Sequence, residues 1–142
     1  MSRVWCENRG LRRASIVRFG LLSPMWNARA METPHLPHHR LIAFTVAKEL
    51  LLAVVAANIR DAELKDQATR AAKSAALNCA EGAGRSSPKD KARAFAIARG
   101  EAAEAAVAVE IAAALGATTD SSMQAVNVVA HRLCGMLTRL CR

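Results

Sequence analysis

Five cations lie close together in this chain. Arg85, Lys89, Lys91, Arg93 and Arg99, with only Asp90 among them, give residues 85–99 a net charge of +4. Cations at a helix start suit a phosphate, which would meet unpaired backbone N–H groups and side-chain charge together. The competing reading is a solvated face beside an exposed turn. A second group is a polar line. At about 100° per residue, Gln67, Arg70, Ser74, Asn78 and Glu81 share one narrow arc of a helix. Leu64, Ala68, Ala71, Ala75 and Cys79 form the adjoining apolar arc, and Lys65, Asp66, Thr69 and Lys73 lie roughly opposite. The line is therefore expected on the inward half of the helix, where polar groups need partners. It reads either as a ligand pocket built on Arg70 and Glu81 or as a satisfied structural network. The network is the favoured reading: Arg70 pairs with Glu81 or Glu104, and Ser74 and Asn78 bond neighbouring helices.

Other chemistries find less support. His35, His38 and His39 sit beside prolines without a carboxylate or cysteine at ligand spacing, so no metal or cofactor is expected. No Ser-His-Asp or Cys-His set can be assembled, His131 reads as a helix-surface residue, and a catalytic function is not expected. The glycine turn after Glu81 lacks the GxxxxGK[ST] pattern of a phosphate-binding loop. Beyond residue 30 the only aromatics are Phe44 and Phe95, both in core register. Base stacking is then unavailable, and any RNA or DNA contact would be electrostatic and indifferent to sequence.

The elements that would carry these residues are helices. Alanine is abundant and β-branched residues are scattered over 142 residues, enough for one domain with a real core. After Pro34 and Pro37 the first helix is expected over about His39–Asn58, with Leu41, Phe44, Leu51 and Val55 as its stripe and Leu52 and Val54 widening it. Asp61 caps a second helix, about Ala62–Glu81, and Gly82 and Gly84 end it through a left-handed C′ position. Ser87-Pro88-Lys89-Asp90 is a capping-box start for a third helix, which runs to about Leu115 and ends at Gly116. Thr119 or Asp120 caps a fourth, through Val126, Val129, Leu133, Met136, Leu137 and Leu140. Short connections make the fold all-α, an antiparallel up-down-up-down four-helix bundle. From Ala102 to Leu115 only Glu104 and Glu110 are charged, so the third helix is expected to be covered on more than one side by self-association.

The net charge of +8 is unevenly distributed. Residues 1–30 carry six arginines against Glu7, a net +5, leaving +3 for the rest. Residues 1–37 read as a disordered basic leader or the product of a mis-assigned start, with Met1, Met25 and Met31 as candidate first residues; residues 38–142 are the bundle domain. Leu41–Ile59 is apolar enough to suggest a membrane span, but Lys48 and Glu49 at its middle argue for a core helix and against a membrane partner. Cys6, Cys79, Cys134 and Cys141 form no CxxC pair, so reduced thiols and a cytoplasmic location are expected.

One run is specific enough to suggest kinship. Gln67-x-x-Arg70-Ala71-x-x-Ser74-x-x-x-Asn78-x-Ala80-Glu81-Gly82, followed by Phe95, Ala98, Gly100 and Glu104, resembles the bacterial four-helix-bundle proteins first noticed as reading frames in intervening sequences of 23S rRNA genes. The resemblance covers about His39–Leu140. It implies a bundle assembling as a ring-like homopentamer. A related branch, the accessory protein of diversity-generating retroelements, is a basic barrel that binds nucleic acid and a reverse transcriptase. This chain differs in carrying Cys79 where an aliphatic residue is usual and Glu101 where a serine is usual, and its body is less basic than that branch. The function expected is a non-enzymatic oligomer associating with RNA or DNA through the Arg85–Arg99 edge. The alternative is a protein-interaction module, such as a reverse-transcriptase accessory subunit, without direct nucleic-acid contact.

Overall fold

Local signals set most of the helix boundaries. The computed structural model describes residues 35–142, so the expectations for the leader up to residue 34 lie outside the described residues. A 3-10 turn at Pro37–Arg40 leads into four helices: α1 Ile42–Ala56, α2 Ala62–Gly84, α3 Pro88–Ala114 and α4 Asp120–Leu140. No strand occurs among the described residues. The fold is an all-helical four-helix bundle.

The helix starts follow their side chains. Asp61 Oδ1 accepts from the Leu64 amide at 2.8 Å, and Thr119 Oγ1 accepts from the Ser122 amide at 3.2 Å. These bonds satisfy amides that have no partner inside the helix. Ser87 is extended and Pro88 opens α3, but the Ser87 hydroxyl makes no capping bond, so the box expected with Asp90 is not completed. Pre-set proline geometry carries that start instead. Helix α1 begins three residues later than expected because Leu41 is extended and separates it from the turn at Pro37.

The helix ends correct one expectation. Gly116, after α3, has φ +68, the left-handed conformation expected of it, and Asn58 after α1 has φ +46. Gly82 and Gly84 do not stop α2. Both lie inside the helix, and the chain leaves it at Arg85 with φ −72. Gly82 serves packing: a Cβ built there would lie 2.6–2.9 Å from Cε1, Cδ1 and Cζ of Phe95. The Phe95 ring thus rests against the α2 backbone, a position closed to any larger residue.

The core between α2 and α3 is made of small residues. Helix α2 buries Ala68, Ala71, Ala72, Ala75, Ala76, Cys79 and Gly82, and α3 answers with six alanines, Phe95 and Val109. These two helices share the most extensive pairing in the bundle. Larger side chains, Leu50, Val126, Leu133 and Leu137, fill the α1–α4 half. The stripe expected for α1 is rotated. Ala43, Val46, Ala47, Leu50 and Val54 face inward, Leu41, Phe44 and Leu51 are half-buried, and Leu52 and Val55 are exposed. Thr45, Lys48 and Glu49 mark the side opposite the buried one, but the large apolar Leu52 and Val55 lie beside them, so apolar spacing alone selects the wrong face.

Bonds between loops fix which helix ends meet. The Arg60 amide donates to the Ala117 carbonyl at 2.9 Å, and Thr118 Oγ1 donates to the Ala57 carbonyl at 2.5 Å, so the α1–α2 and α3–α4 connections lie together. The starts of α1 and α3 and the ends of α2 and α4 surround a pocket at the other end.

The two glycines of α2 should respond in opposite ways to alanine. Gly82→Ala forces the Phe95 ring aside and should cost about 1–3 kcal/mol, as overpacking does. Gly84→Ala meets nothing within 4 Å and should be neutral or stabilise by up to about 1 kcal/mol. Urea denaturation of both variants measures the difference; equal effects would refute the packing role.

Candidate nucleic-acid interface

Four of the five cations chosen from the sequence, Arg85, Lys89, Lys91 and Arg93, stand at the end of the bundle where α2 gives way to α3. Arg99 lies near the middle of α3, and the five do not form one continuous edge. Arg85, just past α2, donates from Nε to Glu81 Oε1 at 3.1 Å. The bond and the carboxylate's charge hold its guanidinium further toward the protonated form. Arg93 lies one turn into α3 and shares with Arg85, Glu81, Asp90 and Asn78 a groove of about 340 Å³ between the two helices. Lys91 points another way, into the end pocket with Arg40 and Arg142. Lys89 is exposed in the first turn of α3. Arg99 turns toward α4, where its Nη1 donates to Thr138 Oγ1 at 3.3 Å. At about 100° per residue, positions 89, 91, 93 and 99 must diverge around the helix.

Cations distant in sequence complete the basic end. Arg40 enters from the turn before α1, and Arg139 and Arg142 from the end of α4; sequence proximity could not reveal them. Arg40 and Arg139 line a second opening with Ile42 and Met136. This end then carries seven cationic side chains (Arg40, Arg85, Lys89, Lys91, Arg93, Arg139 and Arg142) against two acidic ones, Glu81 and Asp90. The opposite end carries Arg60 and Lys65 against Asp61, Glu63, Asp66, Glu110 and Asp120. Charge is segregated along the bundle axis, +5 against −3, with Arg99 near the middle of α3. The first turn of α1 contains no acid and that of α3 only Asp90. Their partial positive helix termini add to the field of the basic end.

The polar line lies differently from its expected place. No polar or charged residue is fully buried among the described residues. Gln67, Ser74 and Asn78 are half-buried, and Arg70, Glu81 and Glu104 are exposed. Arg70 pairs with Asp66 at 3.0 Å rather than with Glu81 or Glu104, and both side chains are solvated. Asn78 Nδ2 donates to the Ser74 carbonyl at 2.9 Å and to Ser74 Oγ at 3.2 Å, within its own helix. The line is a flank beside the α2–α3 seam, and its bonds are local. Exposed ion pairs of this kind contribute little stability. It forms no interhelical network within one chain.

The remaining titratable residues supply no site. His38 packs edge-on against Phe44, with ring centroids 4.7 Å apart, and against His39. No group of three or more His, Cys, Asp or Glu is arranged to hold a metal among the described residues. His131 is exposed, as its position suggested. No described helix is long and apolar enough to cross a membrane.

A four-helix bundle with charge divided between its ends, and with its polar run on the flank of α2, defines the class of protein. The family model described as 23S rRNA-intervening sequence protein matches residues 40–139, and this chain belongs to that family. No curated protein matches the chain.

The thiol of Cys79 is wholly buried between α2 and its neighbours. Burial pushes it up from 9.0 to about 11. An unfolded chain releases this proton near pH 9 and the folded chain only near pH 11, so the thiol's contribution to stability is present below pH 9 and lost across that window. Melting temperature should therefore fall more steeply from pH 9 to 11 in the unmodified chain than in Cys79→Ala. Parallel slopes would show that the thiol does not titrate differently on folding.

Proposed function

We propose that this protein is a non-enzymatic oligomer that contacts nucleic acid through the basic end of an antiparallel up-down-up-down bundle. The observation that carries the reading is the axial charge division: seven cations against Glu81 and Asp90 gather where α1 and α3 begin and α2 and α4 end. Phosphates attracted there would release counterions without reading bases, since Phe95 is buried and Phe44 is half-covered by His38 and Lys48.

Support for assembly comes from the flank. Leu77 on α2, Ile97, Val107 and Ile111 on α3, and Leu115 just past its end are all exposed, Leu77 by 70%. Spacing places Ile97, Gly100, Glu104, Val107 and Ile111 on one stripe of α3. Gly100 lies mid-helix with nothing within 4 Å of an added Cβ. Glycine there costs about 1 kcal/mol relative to alanine, and no contact within the chain explains it. Close approach of another backbone does. Ile42, Leu52 and Val55 on α1 are also exposed, on a side they share with Thr45, Lys48 and Glu49. A mixed surface there, unlike the α3 stripe, favours head-to-tail association, which forms a ring where the rotation closes; the count we propose is five.

Two experiments test this reading. Light scattering on the full chain should return about five times the 15.2 kDa chain mass, and Val107→Asp with Ile111→Asp should release monomers that remain helical. A monomeric parent chain at micromolar concentration would defeat the assembly.

Structured RNA or duplex DNA should bind with affinity falling steeply as salt rises, about 0.9 in log–log slope for each duplex phosphate neutralised. Reversing Lys89, Arg93, Arg99 and Arg139 to glutamate should weaken binding at least tenfold at low salt, while changing the probe sequence should matter little. Should the reversals change neither affinity nor slope, the protein-interaction reading takes its place.

A further inference from the structure

The end pocket differs in chemistry from the groove beside it. It has a volume of about 430 Å³, within the range of small-molecule sites, and opens between the turn before α1, the end of α2, the start of α3 and the end of α4. Its walls are apolar: Leu41, Phe95 and Leu140, with Gly82, Ala92 and Pro88 between them. Gly82 shapes it, because the absence of a Cβ lets Phe95 lie against α2 and leaves the space beyond the ring open. Among the described residues its polar side chains are all cationic, Arg40, Lys91 and Arg142, and none of those lining it is acidic. The α2–α3 groove, by contrast, contains Glu81 and Asp90 with its arginines. One of those arginines is already committed to Glu81.

An apolar floor under an all-cationic rim matches one kind of small molecule. We propose that this pocket binds an amphipathic monoanion, with an apolar chain against Leu41, Phe95 and Leu140 and an anionic head at Arg40 and Lys91. The apolar walls gain by excluding water from a hydrocarbon chain. The cations select the sign of the head and pair with it directly. Inorganic phosphate lacks the chain, and an alkylammonium carries charge of the wrong sign. A nucleoside monophosphate would bring a polar base to walls that offer no side-chain partner. The site involves no bond making, and it does not depend on nucleic-acid binding at the same end of the molecule.

Titration calorimetry on the full chain at low salt, with decanoate as the probe, tests the assignment. Decanoate should bind saturably, and affinity should rise from octanoate to decanoate by up to about fourfold for each methylene buried. Arg40→Gln and Lys91→Gln should each weaken decanoate about tenfold, while Lys73→Gln, on the exposed face of α2, should leave it unchanged. Circular dichroism confirms that the variants remain folded. Ala92→Leu, which fills the pocket without altering its charge, should also reduce binding. Decyltrimethylammonium, inorganic phosphate and AMP should each bind at least tenfold more weakly than decanoate. The proposal is overturned if decanoate fails to saturate by millimolar concentration, if any of those three matches it, or if the two cation variants bind as the parent chain does.

Discussion

Close approach of α2 to α3 is the constraint on which the rest of the molecule depends. Among the described residues, fifteen of the 25 buried apolar residues are alanine, and α2 fully buries nothing larger than cysteine. Alanine buries little area per residue, so the seam gains stability only if the helices come near enough for many small contacts to form together. One large group interrupts it, Phe95, and one missing Cβ, at Gly82, makes room for it. Together they set the geometry at the end of the bundle. The ring against the α2 backbone forms the wall of the end pocket, and the same closeness brings Arg85 and Arg93 to a shared groove.

Much of this was legible in the residues, for identifiable reasons. Asp61, Thr119 and Gly116 announce helix boundaries because their side-chain or backbone chemistry is local, and a local signal survives folding. The apolar arc of α2 was legible because polar residues border it sharply. In α1 the large apolar Leu52 and Val55 sit on the same side as Thr45, Lys48 and Glu49, so a stripe read from large apolar residues missed the inward face that the polar ones oppose. Gly82 was misread as a stop because glycine serves equally as a left-handed cap and as a packing notch. The residue that decides between them, Phe95, lies thirteen positions further on in another helix.

The candidate interface was legible in part, for a related reason. Nearness in sequence gathered Arg85, Lys89, Lys91, Arg93 and Arg99, yet helical rotation spreads them around α3 and only tertiary structure adds Arg40, Arg139 and Arg142. The polar line was assigned inward because its arc adjoins the buried one. In one chain that arc is a boundary: Asn78 is half-covered and Arg70 is in water. A pattern on the sequence reports that a face is special, and it does not report whether this chain or another copy covers it.

The placement of the two surfaces bears on how they would work together. The apolar stripe with Ile97, Gly100, Val107 and Ile111 runs along the side of the bundle, whereas the cations crown one end. Under the proposed assembly, lateral packing about an axis parallel to the helices covers the stripe and leaves the end open. Every copy then presents its basic end to the same face, so a field too weak to hold a phosphate chain from one subunit is repeated around the ring. A two-fold axis perpendicular to the helices would instead point the basic ends in opposite directions and forfeit that gain. The unlike surfaces of α1, where Leu52 and Val55 lie beside Lys48 and Glu49, and of the α3 stripe favour the first arrangement, because a like-with-like pairing of the stripes would leave Leu52 and Val55 in water.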